Sequence, residues 1–192
     1  MLVEMNKKTL IMGILNVTPD SFYDKGDYFS PEKAIKQGIQ LFHEGADILD
    51  IGGESTRPGA EDVEECEELR RTIPIIKALK KSISASLSID TMKARVAAEA
   101  VASGADLIND VSGFSDPEMR HVAACSGAKI CVMHMQGTPR TMQNNPAYPE
   151  GVITHILNWF ENKVTTLIHA GVKENKIILD PGIGFGKTLE NN

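Results

Sequence analysis

Short apolar runs alternate with amphipathic stretches from one end of the chain to the other. Each run is about as long as a buried strand and lacks the polar alternation of a half-exposed one, which is typical of parallel sheets covered on both faces. Because amphipathic segments separate the runs, the pattern predicts an α/β fold. The predicted strands are Thr9–Leu15, Ala46–Ile51, Ala85–Ile89, Ala105–Ile108, Lys129–Met133 and Lys176–Leu179.

Between the strands, apolar residues recur at the spacing of helices that are buried along one face. Ser30 and Asp116 are each followed by proline, a typical helix start, because the first residue caps free N–H groups and proline suits the first turn. The five predicted helices are centred on Ile35–Phe42, Leu69–Ile76, Val96–Val101, Pro117–Gly127 and Val152–Ile168.

A doubly wound open sheet and a (β/α)8 barrel both fit this alternation, and the ends of the strands favour the barrel. An open sheet uses the few strand ends beside its switch point, whereas a barrel gathers all of them around one mouth. Polar residues follow nearly every predicted strand. These polar strand ends are Asn16, Asp50, Asp90, Asn109, His134 and Asp180.

The chain is predicted to be one domain, residues 1–192, with six of the eight βα units of such a barrel. A complete barrel takes about 250 residues, so six units need roughly 190. We therefore expect a C-terminally incomplete TIM-type barrel with two parallel edge strands.

Composition narrows the possible function classes. With 42% hydrophobic and 24% charged residues, the chain has the make-up of a soluble globular protein. Its net charge of −6 and its lack of a Lys/Arg run argue against a nucleic-acid partner. No apolar stretch approaches the ~20 residues of a membrane span. Three cysteines without CxxC spacing predict neither a disulfide framework nor a zinc site, so we expect a cytoplasmic protein.

Two loops at the predicted mouth carry side chains suited to chemistry. Asn16 directly follows the first strand, where its amide oxygen suits a hard cation such as Mg²⁺; an equally good interpretation is that Asn16 and Asp20 only cap the loop. Gly52 and Gly53 let a ligand approach the backbone after the second strand. Arg57, in the same loop, suits a phosphate or a carboxylate.

Asp90, Asn109 and Asp180 end three other strands. A carboxylate accepts the adjacent amino and ring N–H groups of a pterin or guanine edge, and an amide both donates to and accepts from the rest of the ring. Such a site rejects analogues strongly, because a wrong ligand leaves buried polar groups unpaired. Asp90 also precedes Thr91 and a helix, and for this residue alone a helix N-cap is the favoured interpretation.

The segment Asp180–Thr188 is rich in glycine but matches neither common nucleotide motif. Pro181 stands where the P-loop needs glycine, and Lys187 stands at the third glycine of GxGxxG. We predict a flexible loop whose backbone approaches a flat ring. His134 is predicted to be a hydrogen-bonded core or rim residue, and no nucleophilic triad is visible in the sequence.

Six blocks, in order at the strand ends, resemble the dihydropteroate synthases, pterin-binding barrel enzymes of folate biosynthesis. The resemblance implies condensation of (7,8-dihydropterin-6-yl)methyl diphosphate with 4-aminobenzoate, which gives 7,8-dihydropteroate and diphosphate. It also implies Mg²⁺ as cofactor and a homodimer. The blocks are Asn16–Phe22, Gly52–Gly59, Ser88–Thr91, Ile108–Asp110, Met133–Gly137 and Asp180–Lys187.

The same resemblance implies roles for single residues. Asn16 is the expected Mg²⁺ contact. Asp24 and Arg57 are the expected catalytic residues, since a carboxylate can stabilise a developing pterin carbocation and cations neutralise the leaving diphosphate. The expected substrate-binding residues are Phe22, Thr56, Asp90, Asn109, Met133, Asp180 and Gly184.

Two departures from the family pattern keep other hypotheses open. Lys25 follows Asp24 where the family usually has glycine, and the chain ends before the family's Ser-Arg-Lys and Arg-x-His blocks. The second hypothesis is therefore a catalytically inactive fragment with residual pterin binding. A nucleotide hydrolase that uses residues 182–188 is the third.

Overall fold

The computed structural model describes residues 8–18, 23–24, 28–55 and 62–192. Within these ranges, six parallel strands form one sheet and five α-helices lie between them along the chain. The sheet strands are β1 (Met12–Asn16), β4 (Ile48–Gly52), β5 (Ser86–Asp90), β6 (Leu107–Asp110), β7 (Lys129–Met133) and β8 (Ile177–Asp180). The helices are α1 (Pro31–His43), α2 (Glu65–Ser82), α3 (Ala94–Ala102), α4 (Pro117–Ser126) and α5 (Val152–His169), with a 3₁₀ turn at Glu174–Lys176.

The strand order decides between the two candidate architectures. The strands lie side by side as β1-β4-β5-β6-β7-β8, in the order in which they occur along the chain, and every neighbouring pair is parallel. A doubly wound sheet reverses its order at a switch point. Across the described strands there is no reversal, so the prediction of a barrel-type sheet with six βα units is confirmed.

One face of the sheet packs against the helices and forms the core. Leu49 and Ile51 of β4 lie in one buried cluster with Ile75 and Leu79 of α2, and none of the four has measurable exposure. Successive side chains of a strand point to opposite faces, so Asp50 points away from the helices. We call that side of the sheet the inner face.

Most of the strands continue beyond the predicted apolar runs by one or two residues. β1, β4, β5 and β8 end at Asn16, Gly52, Asp90 and Asp180, each one residue past the predicted end. These residues still belong to the hydrogen-bonded ladder, while the side chains of Asn16, Asp90 and Asp180 point to the inner face. Apolarity is not required there, so the apolar run underestimates the strand.

A small antiparallel hairpin follows the first strand. It consists of β2 (Tyr23–Asp24) and β3 (Tyr28–Phe29), with Tyr23 paired to Phe29. The sequence did not predict this hairpin, because two-residue strands are too short to show an alternating pattern.

The predicted boundaries of α4 are correct, because recognisable capping residues stand at both of its ends. Asp116 accepts the N–H of Glu118 at 2.9 Å at the start of α4, and Gly127 ends that helix with a φ of 67°. Ser30 also stands at the N-cap of α1, but its hydroxyl bonds the Glu32 carboxylate and caps no backbone N–H group.

Candidate functional site

Polar side chains gather at the carboxyl ends of β1, β5 and β6, on either side of a glycine at the end of β4. The ladder places Asn16 beside Gly52, Gly52 beside Asp90, and Asp90 beside Asn109. These residues form one row across β1, β4, β5 and β6. The prediction that polar strand ends share one rim is therefore confirmed for this row.

Gly52 leaves open the space between Asn16 and Asp90. A Cβ atom at Gly52 would lie 3.4 Å from Asp90 Oδ2 and 3.7 Å from Asn16 Oδ1. Oxygen atoms from two neighbouring strands thus come close to the same point, and a side chain here would crowd both of them. The absence of a side chain keeps the backbone accessible at the centre of the row.

Asp50, predicted as a polar strand end but given no role in binding, lies deeper on the inner face. It is 4% exposed and accepts a hydrogen bond of 2.9 Å from Asn109 Nδ2. Ser88 of the neighbouring strand interacts with the Asp50 carboxylate, and among the described residues Asn109 Oδ1 is buried without a hydrogen-bond partner. Unpaired buried polar atoms cost free energy, so this face is suited to polar ligand groups. The sequence signal that could have identified Asp50 as a site residue is its carboxylate within an otherwise apolar strand.

The electrostatics of the inner face disfavour full ionisation. Burial raises the pKa of Asp90 well above its usual range, and the neighbouring charge of Asp50 raises it further. Burial also raises the pKa of Asp50. Two adjacent carboxyl groups in a poorly solvated place do not both ionise readily, so the pair favours holding one proton.

Cys131 shows that Asp180 faces the same space. Burial raises the pKa of this thiol to about 12, with further increases from the charges of Asp180, Asp50 and Asp90. The charges of carboxyl groups from β8, β4 and β5 therefore all act on one thiol, which lies beside Asn109 in the ladder. Met133, 4% exposed, is the ladder neighbour of Asp180. The structure thus brings together the predicted substrate-binding residues that lie on the strands.

The interpretation of Asp90 as a helix N-cap is wrong. Helix α3 begins at Ala94, its N-cap is Lys93, and the Lys93 N–H donates to Thr91 Oγ1 at 3.1 Å. Asp90 ends a strand three residues before that cap, so its carboxyl group serves the inner face.

We expect Asp90→Asn to stabilise the fold at mildly alkaline pH. The folded-state pKa of Asp90 lies above the unfolded value, so its contribution to stability is present below the unfolded pKa and is lost as pH rises through the folded pKa. Asparagine has no charge to acquire. The variant should gain about 1 kcal/mol or more, which corresponds to roughly 2–4 °C in Tm for a chain of this size. Thermal and urea unfolding at acidic and alkaline pH measure this.

Asp47→Asn is the control, because its expected effect on stability at alkaline pH is opposite to that of Asp90→Asn. A hydrogen bond from Lys8 and one from the Ile11 N–H lower the pKa of Asp47. Its contribution is present above the unfolded pKa and is lost as pH falls, so this replacement should destabilise at alkaline pH. An Asp90→Asn variant that is less stable than its parent under those conditions would contradict our account of the inner face.

The glycine-rich segment after β8 makes hydrogen bonds within the loop and to Tyr148, and its predicted flexibility stays a prediction. Asp180 Oδ1 accepts the Gly182 N–H at 2.7 Å, and the Tyr148 hydroxyl donates to the Gly186 carbonyl at 2.6 Å. Gly184 is exposed in this loop, and its expected substrate contact stays a prediction. Glycine composition alone does not distinguish a mobile loop from one that needs close backbone approach.

The side chain of Lys187 is turned into this loop and bonds its backbone. It is 4% exposed, and its Nζ donates to the carbonyls of Gly182 at 2.8 Å and Phe185 at 3.0 Å and lies 3.2 Å from His134 Nδ1. An ammonium engaged by three protein atoms cannot act as a P-loop lysine. The contacts therefore argue against the nucleotide-hydrolase hypothesis.

His134 is a core histidine, as predicted. It is 1% exposed, its backbone N–H donates to the Asp180 carbonyl at 2.9 Å, and its ring meets Trp159 edge-on at 5.1 Å. Burial, and then the charge of Lys187, lower its pKa to about 4. The imidazole is therefore neutral at physiological pH.

We expect His134 to make the protein less stable as pH falls from neutral towards 4. An unfolded histidine titrates near pH ~6.5, so across this window the unfolded chain binds a proton that the folded chain does not. The stability that is complete above ~6.5 should fall by about 1–3 kcal/mol. Urea unfolding at several pH values measures the slope. The same slope in His134→Gln would contradict this assignment.

Several expected site residues lie outside the described part of the chain. These are Phe22, Thr56 and Arg57. Asp24 lies in strand β2. The roles expected for these four residues stay predictions.

An ionic cluster beneath the loop after β4 was not predicted. Lys93 Nζ bonds Glu54 Oε2 and also Glu68 Oε2, the latter at 2.6 Å. Glu54 Oε1 accepts the Val63 N–H at 3.3 Å and so links the two ends of that loop. The members are far apart in sequence and form no local motif, so only the fold brings them together.

The described residues offer limited support for a metal. They contain no group of three or more His, Cys, Asp or Glu side chains arranged to hold an ion. Asn16 contributes one exposed amide oxygen near Asp90 Oδ2. This donor fits a hard cation that takes its other ligands from substrate phosphate and water, as Mg²⁺ commonly does.

Comparison with known proteins places the chain in a family. A family model described as pterin binding enzyme matches residues 12–192. The chain belongs to this family of pterin binding enzymes. A family relative, the dihydropteroate synthase of Synechocystis sp., is 50% identical over 192 residues, covering 100% of this chain and 66% of the relative.

Solved structures of family members agree with the fold. The Yersinia pestis dihydropteroate synthase with a sulfonamide drug superposes with a TM-score of 0.89 at 45% identity, covering 95% of this chain and 66% of the other. The Burkholderia cenocepacia enzyme complexed with 7,8-dihydropteroate gives a TM-score of 0.83 at 42% identity, covering 95% and 61%. The chain spans just under two thirds of the length of these relatives. No helix in the described ranges is long and apolar enough to cross a membrane.

Proposed function

We propose that this chain is the pterin-binding part of a dihydropteroate synthase. The observation that carries the proposal is the convergence of Asp90, Asn109 and Asp180 from three strands onto one face, around Cys131. The relatives support it, since the similar structure from Burkholderia cenocepacia is described as a complex with 7,8-dihydropteroate. The substrates are (7,8-dihydropterin-6-yl)methyl diphosphate and 4-aminobenzoate.

Pterin recognition follows from the donors and acceptors on the inner face. The Asp180 carboxylate accepts the exocyclic amino group and the neighbouring ring N–H of the pterin. Asn109 Oδ1, buried and without a described partner, accepts a further N–H group. Asp90, with its raised pKa, offers a protonated carboxyl group that donates to a ring nitrogen. Met133 packs against the flat ring.

The reaction breaks the bond between the pterin methylene carbon and the diphosphate oxygen, whose electron pair leaves with diphosphate. The amine nitrogen of 4-aminobenzoate forms the new C–N bond and then loses a proton to solvent. Asn16 would hold Mg²⁺, which when bound neutralises the leaving diphosphate. Asp24 and Arg57 are proposed to stabilise developing positive and negative charge, respectively. Holding the two substrates side by side would supply much of the rate enhancement through orientation.

A turnover assay with both substrates and Mg²⁺ tests the proposal together with calorimetric binding of 7,8-dihydropterin. Binding together with product formation supports catalysis by this chain. Binding without product supports the alternative, a catalytically inactive fragment with residual pterin binding. No detectable binding to a folded chain would contradict both.

The proposal also includes a cytoplasmic location, a homodimer and no nucleic-acid partner. Free thiols at Cys66, Cys125 and Cys131 support a reducing compartment, and the net charge of −6 does not favour a polyanion. Sedimentation of the purified chain measures the oligomeric state, and a monomer at all concentrations would contradict the dimer.

A further inference from the structure

Lys187 is a buried cation that the proposed reaction does not use. The residue is 4% exposed, although it lies in the loop that follows β8. A charge that is removed from water costs free energy unless hydrogen bonds or an opposite charge stabilise it. A lysine in such a place therefore needs partners, and the partners show which part of the fold it stabilises.

The partners of the Lys187 ammonium come from its own loop and from the end of β7. Its Nζ donates to the carbonyl oxygens of Gly182 at 2.8 Å and Phe185 at 3.0 Å, and it lies 3.2 Å from His134 Nδ1. The low pKa of His134, about 4, keeps its ring neutral, which allows Nδ1 to accept. An ammonium has three N–H groups, so these three acceptors use all of them.

Gly182 links Lys187 to Asp180. The N–H of Gly182 donates to Asp180 Oδ1 at 2.7 Å, while the carbonyl oxygen of Gly182 accepts from Lys187 at 2.8 Å. The two hydrogen bonds fix the peptide groups on either side of the same α-carbon. The orientation of the Asp180 carboxyl group therefore depends on a turn that Lys187 stabilises.

The turn at Gly182 is closely packed. Gly182 is buried, and an added Cβ would lie 2.1 Å from the His134 carbonyl oxygen and 3.2 Å from Met133 Cγ. Without the Lys187 ammonium, the buried carbonyl group of Gly182 would lose its donor, and an unpaired buried group costs free energy. We expect the turn to shift until water reaches this oxygen, which moves the Gly182 N–H away from Asp180.

Charge couples the same two side chains. Burial lowers the pKa of Lys187, and the charge of Asp180 acts in the opposite direction. The ammonium and the carboxylate therefore attract each other across the Gly182 turn. This attraction adds to the hydrogen bonds through Gly182, and both are lost when an uncharged apolar residue replaces Lys187.

We propose that Lys187 is a positioning residue for pterin recognition: through Gly182 it fixes the Asp180 carboxyl group in the orientation that accepts the two adjacent N–H groups of the ligand. Lys187 itself does not touch the ligand in this arrangement. This role rests on the proposed function, because Asp180 binds a pterin only if the chain does. The effect of Lys187 on binding passes through Asp180.

Lys187→Met should weaken the binding of 7,8-dihydropterin about tenfold. Methionine fills a similar volume but supplies neither the N–H groups nor the charge, so the Asp180 carboxylate is present but no longer oriented. Lys187→Gln keeps an N–H donor and should lose less affinity. Calorimetric titration of the purified chain measures both variants. Unchanged affinity in Lys187→Met, with a parent that binds, would overturn the proposed role.

Tyr148→Phe is the matched control, because it removes another hydrogen bond of the same loop. The Tyr148 hydroxyl donates to the Gly186 carbonyl at 2.6 Å, a bond that includes neither Gly182 nor Asp180. The pterin affinity of Tyr148→Phe should equal that of the parent within about twofold. An equal loss in Tyr148→Phe and Lys187→Met would show that any disturbance of the loop weakens binding, and would overturn a specific role for Lys187.

The Gly182 amide proton reports on the same arrangement without any ligand. An N–H group that donates to a carboxylate makes a short, strong hydrogen bond and resonates downfield in a ¹H–¹⁵N correlation spectrum. In Lys187→Met this resonance should move upfield, whereas in Tyr148→Phe it should stay in place. A Gly182 resonance that does not move in Lys187→Met would overturn the proposal even if pterin affinity falls.

The two experiments separate this role from the proposed function. Absence of pterin binding by the parent would contradict the proposed function alone, and the Gly182 resonance would still decide whether Lys187 orients Asp180. If Lys187→Met does not fold, Lys187→Gln gives the same comparison in both experiments.

Discussion

Asp180→Ala should reduce the affinity for 7,8-dihydropterin by at least about 100-fold. The carboxylate is the proposed acceptor for two adjacent ligand N–H groups, and hydrogen bonds to a charged group contribute roughly 1.5–3 kcal/mol each. Removing the acceptor also leaves two donors of the bound ligand unpaired in a buried place. Calorimetric titration of the parent and the variant measures the change.

Asp116→Ala is the matched control, because both aspartates accept the backbone N–H two residues ahead. The bond from Gly182 to Asp180 is 2.7 Å, and the bond from Glu118 to Asp116 is 2.9 Å. Asp116 caps α4, so its loss should cost about 1 kcal/mol of stability and leave pterin affinity unchanged. Equal affinity of the parent and of Asp180→Ala would remove Asp180 from the proposed site.

Gly182→Ala should lower the free energy of unfolding by about 3 kcal/mol or more, or prevent folding. The residue has a φ of +66°, and an added Cβ would lie 2.1 Å from the His134 carbonyl oxygen. That oxygen belongs to a backbone that also bonds Lys187 and the strand β8, so it cannot move away cheaply. Urea unfolding of the purified variant gives the loss.

Gly184→Ala isolates the contribution of the backbone conformation. Gly184 has a similar φ of +83°, but no heavy atom lies within 4 Å of the added Cβ. Only the strain of the left-handed conformation remains, about 1–2 kcal/mol. Equal losses in the two variants would show that close packing against His134 does not hold this loop.

Much of the site could be predicted from residues that are local in sequence. Asn109 and Asp180 directly follow apolar runs, so their place at a strand end needed only the pattern. The role of Asp90 could not be decided in the same way, because an aspartate before a helix fits both a cap and a pocket. The observed helix start at Ala94 resolved this.

The rest of the site depends on contacts between distant segments. Lys93 and Glu68 are 25 residues apart, and Lys187 and His134 are 53 apart. Sequence patterns report what a residue does with its near neighbours, whereas such pairs form only after the strands have taken their order.

By itself, the sequence determined the alternation of strands and helices, the caps with explicit chemistry, and the resemblance that names the family. Periodicity and short motifs involve residues that are close in sequence, so they can be recognised without a structure. Only the tertiary structure decided the strand order, the buried carboxyl groups of the inner face and the hydrogen bonds of the loop after β8. Each of these depends on desolvation and close approach between parts of the chain that are distant in sequence.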